Sequence, residues 1–225
     1  MSMTLYYHPL ASYCHKVMVA LHELNLDAER KLIDLGKEEA RAQLRALWPM
    51  TKFPVLRDHA RGRDVPESSI IIEYIDRHYG GPARLVPADP DAALDVRLWD
   101  RVFDNYVMGP MQENVAAHFS GVKDNSSRLA TLTAAYQMIN ARMQGREWAV
   151  GDHFSMADCA AVPALFYACT VSPFPQECTH LAAYFERLMA RPSVKRMLDE
   201  ARPYFHMYPF ADALAPRFRN PPQEK

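Results

Sequence analysis

The chain has 225 residues, 49% of them apolar, and a formal net charge of −1. That apolar share supports a packed core and argues against disorder. The near-zero charge excludes a basic nucleic-acid surface or an acidic solvating tail as an organising feature, and no apolar run approaches the ~20 residues of a membrane span. Four cysteines, Cys14, Cys159, Cys169 and Cys178, form no CxxC pair, so a reducing, cytoplasmic setting is expected. The start, Met1 to Tyr6, lacks the charged and long apolar pattern of a signal peptide and reads as a strand.

In chain order, Thr4 to His8 predicts a strand. Val17, Ala20, Leu21 and Leu24 recur at helical spacing, so Cys14 to Leu24 predicts a helix. Arg30 to Asp34 suits a second strand, and Glu38 to Leu47, rich in Glu, Ala, Arg and Leu, a second helix that Trp48-Pro49 stops. Val55 to Arg57 is a short strand followed by a charged turn at Gly62. Ile71, Tyr74, Ile75 and His78 mark one face of a helix ending at Gly80-Gly81-Pro82. The order β-α-β-α-β-β-α argues for a small mixed sheet carrying helices.

Pro82, Pro87 and Pro90 punctuate a short polar linker, after which only helical periodicity is found. Asp91 to about Phe119 predicts a long helix kinked at Gly109-Pro110, and Arg128 to about Gln144 a second. Ser155-Met156-Ala157-Asp158 is a capping box, with Phe154 placed to staple against Cys159. Further helices fit Thr179 to Ala190 and Ser193 to Ala201, and the Pro- and aromatic-rich tail from Pro203 fits no regular element. No internal repeat is visible.

Two segments carry the chemistry. Thr51-Lys52-Phe53-Pro54-Val55-Leu56 places a proline just before an apolar strand, and Pro66-Glu67-Ser68-Ser69-Ile70-Ile71 places an acid and a hydroxyl where a helix begins. Free N–H groups and the positive dipole end favour a carboxylate at that helix start, where Ser68 adds a hydroxyl donor and Glu67 an acceptor for an ammonium. Together the segments suit a small zwitterionic peptide. The ordinary alternatives are a trans proline opening a strand, a simple N-cap at Glu67-Ser68, and a solvated surface lysine at Lys52. His, Asp and Cys show no metal-ligand spacing, and there is no Gly-rich phosphate loop.

With these segments, the β-α-β-α-β-β-α order followed by helices resembles the cytosolic glutathione transferase family, bacterial type. Gly151-Asp152-His153-Phe154-Ser155-Met156-Ala157-Asp158 resembles its capping-box motif, and Arg191-Pro192-Ser193-Val194 the start of its last helix. The resemblance implies a thioredoxin-like glutathione-binding domain over residues 1–82 and an all-helical domain carrying the electrophile site over 91–225. It implies a cis peptide before Pro54, so that Phe53 binds ligand through its main chain. It also implies glutathione as cosubstrate, its γ-glutamyl end on Glu67 and Ser68 and its glycyl carboxylate near Lys52, and a homodimer.

A thiol of pKa ~8.5 is only a few per cent ionised at neutral pH. One hydrogen bond to the anion, worth ~1.5–3 kcal/mol, lowers that pKa by one to two units, so a single hydroxyl donor suffices. Ser12 is the first candidate for that role, with Tyr7 and Cys14 as alternatives. Ser12 lies in the loop entering the first helix, and Pro9-Leu10-Ala11-Ser12 resembles the beta-class stretch whose catalytic cysteine would fall on Ser12. Tyr7 holds the strand-end position of tyrosine-type relatives. Cys14 would react with glutathione directly and make the protein a disulfide reductase. Ala11 stands where many serine-type relatives carry their serine, if His15-Lys16-Val17 aligns with their Arg-Lys-Val. The plain roles are a sheet-packing aromatic for Tyr7 and a buried small hydrophobe for Cys14.

The second substrate is expected at the junction of the halves, against Asn105, Tyr106, Met108, Met111 and Gln112 of the long helix, with helix-core packing the plain role of the methionines. Met108-Gly109-Pro110-Met111-Gln112 loosely resembles the isomerase-type zeta class. The expected activity is attack of the activated thiol on a small hydrophobic electrophile, without metal, nucleic acid or membrane. An isomerase, dehalogenase, thiol reductase or non-catalytic glutathione-binding relative is the alternative.

Overall fold

A computed structural model describes residues 2–82, 84–122 and 124–220. Met1, Lys123 and residues 221–225 fall within the expected domain ranges and Ala83 in the linker between them, and all of these lie outside the described residues.

The first half builds one four-stranded sheet from β1 (Met3–Tyr7), β2 (Glu29–Leu32), β3 (Val55–Asp58) and β4 (Arg63–Pro66), in the order β2-β1-β3-β4. β1 pairs parallel with β2, with Tyr7 opposite Leu32, and antiparallel with β3, with Leu5 opposite Leu56 and Tyr6 opposite Val55. Pro66 ends the edge strand β4, where its missing N–H is harmless. Alternation along the strands sorts the side chains into two layers. Leu5, Tyr7 and Leu56 face the main core with α1 (Ser12–Glu23) and α3 (Ser68–Tyr79), while Tyr6 and Val55 pack with Ile33 and with Leu44 of α2 (Glu38–Leu47) on the other face. The first helix begins two residues earlier than its periodicity predicts, so Ser12 is its first residue rather than part of the loop before it.

The second half is helical: α4 (Pro90–Val102), a π-helical turn over Phe103–Met108, α5 (Gly109–Ser120), α6 (Ser126–Arg142), α7 (Met156–Val171), α8 (Thr179–Ala190), α9 (Pro192–Ala201) and a short α10 (Pro216–Arg219). The stretch between the halves is tied down: the Leu85 N–H donates to Asp76 (2.7 Å), and its carbonyl accepts from the Met156 N–H (2.9 Å). The expected long helix runs continuously from Pro90 to Ser120, with a widened turn just ahead of Gly109-Pro110. Pro110 has no N–H to offer, and its ring would crowd the carbonyl four residues back. The π turn relieves this, with the Gly109 N–H donating to the Asp104 carbonyl five residues earlier. The tail after Arg202 forms two 3₁₀ turns, Arg202–Met207 and Ala211–Ala213, and aromatic side chains dock it. Tyr208 packs on Tyr167, and Phe205 and Phe218 on Phe166. Its order comes from these long-range contacts, which no local period records.

α7 is the core helix, buried on all sides from Met156 to Ala168. Its capping box is more than local. The fully buried Asp158 carboxylate accepts from the Ser155 N–H and hydroxyl (2.9 Å each), the Ala149 N–H (2.9 Å) and the Tyr184 hydroxyl of α8 (2.5 Å). Phe154 packs on Trp148 and under Arg191. Asp158→Ala strands several buried donors at ~1–3 kcal/mol each. We expect the melting temperature to fall by about 10 °C or more, at ~2–4 °C per kcal/mol for a chain of this size, as read by scanning calorimetry.

Candidate active site

A cleft of about 630 Å3 opens between the sheet half and the long helix. The loop before β3 supplies Lys52, Phe53 and Pro54, and the start of α3 supplies Glu67, Ser68, Ser69 and Ile70. The Phe53–Pro54 peptide is cis. Among the described residues, no turn or loop hydrogen bond uses the Phe53 N–H or carbonyl. Glu67 is the N-cap of α3 with φ +68, a left-handed conformation that a residue with a Cβ adopts only at a cost of order 1–3 kcal/mol. Its exposed side chain makes no capping bond, so the carboxylate is available to the cleft. Thr51, just before Lys52, also has positive φ (+53), which places two such residues at this rim.

The floor of the cleft is ionic and was not anticipated from sequence. Lys16 of α1 is wholly buried and pairs with Asp100 and with Asp104 (2.9 Å). It also donates to Ser69 Oγ (2.8 Å), whose hydroxyl donates to Asp100 (2.7 Å). Half-exposed Arg101 adds a second cation on Asp100 (2.6 Å), Asp104 (2.5 Å) and Ser69. Arg97 and Glu73 form a bidentate pair on the wall (2.7 and 2.8 Å). Tyr13 lines the same cleft, its hydroxyl pushed up to about 12 by burial and by the nearby Asp104 carboxylate, so it stays protonated. The sequence signal for this floor was a lysine inside the apolar run of α1, with Asp100 and Asp104 one helical turn apart.

A second, apolar cavity of about 310 Å3 adjoins, lined by Leu10, Ala11, Ser12, Met111, Gln112, Val115, Ala116, Tyr167 and Tyr208. Both tyrosine hydroxyls are engaged elsewhere, Tyr208 with Thr170 (2.8 Å) and Tyr167 with the Leu10 carbonyl (3.5 Å). Gln112 lines both spaces, and its Nε2–H donates to Ser12 Oγ (3.1 Å). Beneath Ser12, buried His15 stacks on Tyr167 and contacts the Pro9 carbonyl at 2.5 Å through Nε2. A carbonyl only accepts, so Nε2 carries the proton and pins the loop. Burial holds the His15 ring down to about 4, keeping it neutral.

A glutathione S-transferase N-terminal domain model matches residues 5–83, and the C-terminal domain model of the same family matches residues 113–192. The chain belongs to the glutathione S-transferase family. It is 28% identical over 215 residues to glutathione S-transferase 2 of Saccharomyces cerevisiae, covering 88% of this chain and 90% of that one. It is 25% identical over 206 residues to glutathione S-transferase A of Pleuronectes platessa, covering 86% and 89%. A glutathione S-transferase from Methylobacillus flagellatus, solved with GSH bound, superposes with a TM-score of 0.75 at 27% identity, covering 87% of this chain and 98% of that one.

Within this transferase fold the candidate residues separate. Lys52, Phe53, Pro54, Glu67, Ser68, Asn105 and Gln112 share the polar cleft, and Ser12, Met111 and Gln112 the apolar cavity. Tyr106 and Met108 line neither: the π turn leaves Tyr106 on the open surface and buries Met108 in the core. Tyr7 and Cys14 also belong to the core and line neither space. Burial raises the Tyr7 hydroxyl pKa and pushes the Cys14 thiol up to about 12. A thiol so placed is neither ionised nor reachable near neutral pH. In the folded protein at pH 7–8, iodoacetamide is expected to leave Cys14 unmodified, with full alkylation only in denaturant. Peptide mass mapping checks this, and rapid native alkylation of Cys14 would contradict its placement.

Proposed function

We propose that the chain seats glutathione in the polar cleft, ionises its thiol with Ser12 as hydrogen-bond donor, and delivers the sulfur to an uncharged, apolar electrophile in the adjoining cavity. The observation that carries this reading is Gln112, which lines both spaces and donates to Ser12 on the wall of the apolar cavity, in the first turn of α1. Phe53 pairs its free main chain with the cysteinyl unit as an added strand. The start of α3 and Ser68 receive the γ-glutamyl carboxylate, Glu67 its ammonium, and Lys52 the glycyl carboxylate. The sulfur then lies toward Ser12, whose position at the positive end of α1 adds to the stabilisation of an anion. The cavity offers the electrophile ring faces and methyl groups, with Gln112 and Ser12 as its polar contacts. A reductase reading loses support because Cys14 lies in the core, away from the cleft.

Assembly follows from the surface. Ile70, Leu94 and Leu98 stand exposed on α3 and α4 beside the cleft, which supports a homodimer built through these helices. Sedimentation is expected to give a dimer at micromolar concentration and a monomer for Leu94→Lys combined with Leu98→Lys.

Glu67→Ala and Ser68→Ala should each weaken glutathione binding by ~1–3 kcal/mol, measured by titration calorimetry. Ser12→Ala should keep affinity but raise the bound thiol's pKa by one to two units and slow conjugation ~10-fold at neutral pH. Ionisation of the thiol makes the rate climb with pH, so the variant's profile moves to higher pH and its deficit shrinks in base. A Ser12→Ala enzyme whose bound thiol titrates like the parent would end this assignment.

A further inference from the structure

Ser12 Oγ has one proton and two lone pairs, and what holds it decides where the proton points. One lone pair accepts the Gln112 Nε2–H at 3.1 Å. The serine is 5% exposed, and among the described residues no acceptor takes its hydroxyl proton. Gln112 lines both the polar cleft and the apolar cavity, at the place where they join.

The helix delivers Gln112 there by its π turn. Asp104 lines the cleft, and Gln112 follows it by eight residues. At ~100° per residue, an unbroken α-helix would carry Gln112 ~80° away from the Asp104 face. The π turn accommodates one extra residue, which removes ~100° of rotation and returns Gln112 to within ~20° of that face. Phe103–Met108 is that turn, closed by the Gly109 N–H on the Asp104 carbonyl.

We propose that Gln112 is a positioning residue for Ser12: its amide holds the serine oxygen so that the hydroxyl proton is free to point at the glutathione sulfur. Donation to Oγ also polarises the hydroxyl, because hydrogen bonds in a chain strengthen one another. The proposal rests on the reading of Ser12 as the thiol's donor, and it takes Gln112 from electrophile contact to a part in thiol activation.

The test uses the full chain with saturating glutathione and follows thiolate absorbance against pH. Gln112→Met keeps the length and loses the donor. It should raise the bound thiol's pKa by about half to one unit and lower kcat at neutral pH ~3–10-fold, with affinity for glutathione unchanged. Gln112→Glu should raise it further, since a carboxylate takes the serine proton for itself. Because Gln112 acts through Ser12, the double variant Ser12→Ala with Gln112→Met should titrate like Ser12→Ala alone. Additive shifts would mean that Gln112 touches the sulfur directly, and an unchanged or lowered pKa in Gln112→Met would mean that it does not orient the donor; either overturns the proposal. If Ser12→Ala itself titrates like the parent, the donor assignment falls and this inference with it. If Ser12→Ala shifts while Gln112→Met does not, only the inference falls.

Discussion

A lysine ammonium with no solvent contact organises this molecule. Taking such an ion out of water costs several kcal/mol unless partners surround it, and Lys16 has Asp100, Asp104 and Ser69 around it. Those partners come from α3, α4 and the π turn, while Lys16 comes from α1. The charge is compensated only when all four elements hold one arrangement. Arg101 balances the second carboxylate from the solvent side, so the cluster carries two cations and two anions. An arrangement of this kind tolerates little drift, because loss of any partner leaves a buried charge uncompensated. The rigidity falls directly beneath the cleft, between the first turns of α1 and α3.

The halves of the chain divide the work. The sheet half lines the polar cleft with the loop at Phe53, the carboxylate of Glu67 and the start of α3. The helical half contributes the apolar cavity through α5, α7 and the tail. Ser12 belongs to the first half by sequence yet lines the cavity of the second, and Gln112 reaches it from the other side. A second device supports the same spot. His15 pins the Pro9 carbonyl while Tyr167 stacks on the ring, so the loop leading to Ser12 is gripped from α1 and α7.

Local irregularities do much of this positioning. Positive φ at Glu67 turns the chain sharply between β4 and α3 and frees the side chain from capping. The π turn answers Pro110 and rotates α5. Asp158 locks the start of the core helix to α8 and to the loop at Ala149. Each departs from ideal geometry where a neighbouring element requires it.

The amino-acid sequence by itself determined the elements and the two short segments that meet at the cleft. Hydrophobic spacing marked α1 and α3, helix-favouring composition marked α2, further helical stretches matched α8 and α9 to within a few residues, and the capping box marked the start of α7, because these signals are local. Lys52, Phe53, Pro54, Glu67 and Ser68 could be grouped in advance because two short segments carry them, and all five line the polar cleft. Only the tertiary structure placed Ser12 on a cavity wall and Tyr7 and Cys14 in the core, since a few residues of offset in one segment separate the two settings, and only packing sets that exposure. It also decided that Lys16 closes on Asp100 and Asp104, that Tyr106 and Met108 turn away while Gln112 turns in, and that the tail packs on α7. Each of these depends on contacts between residues far apart in the chain, or on a single widened turn, and the spacing of apolar side chains carries no record of either.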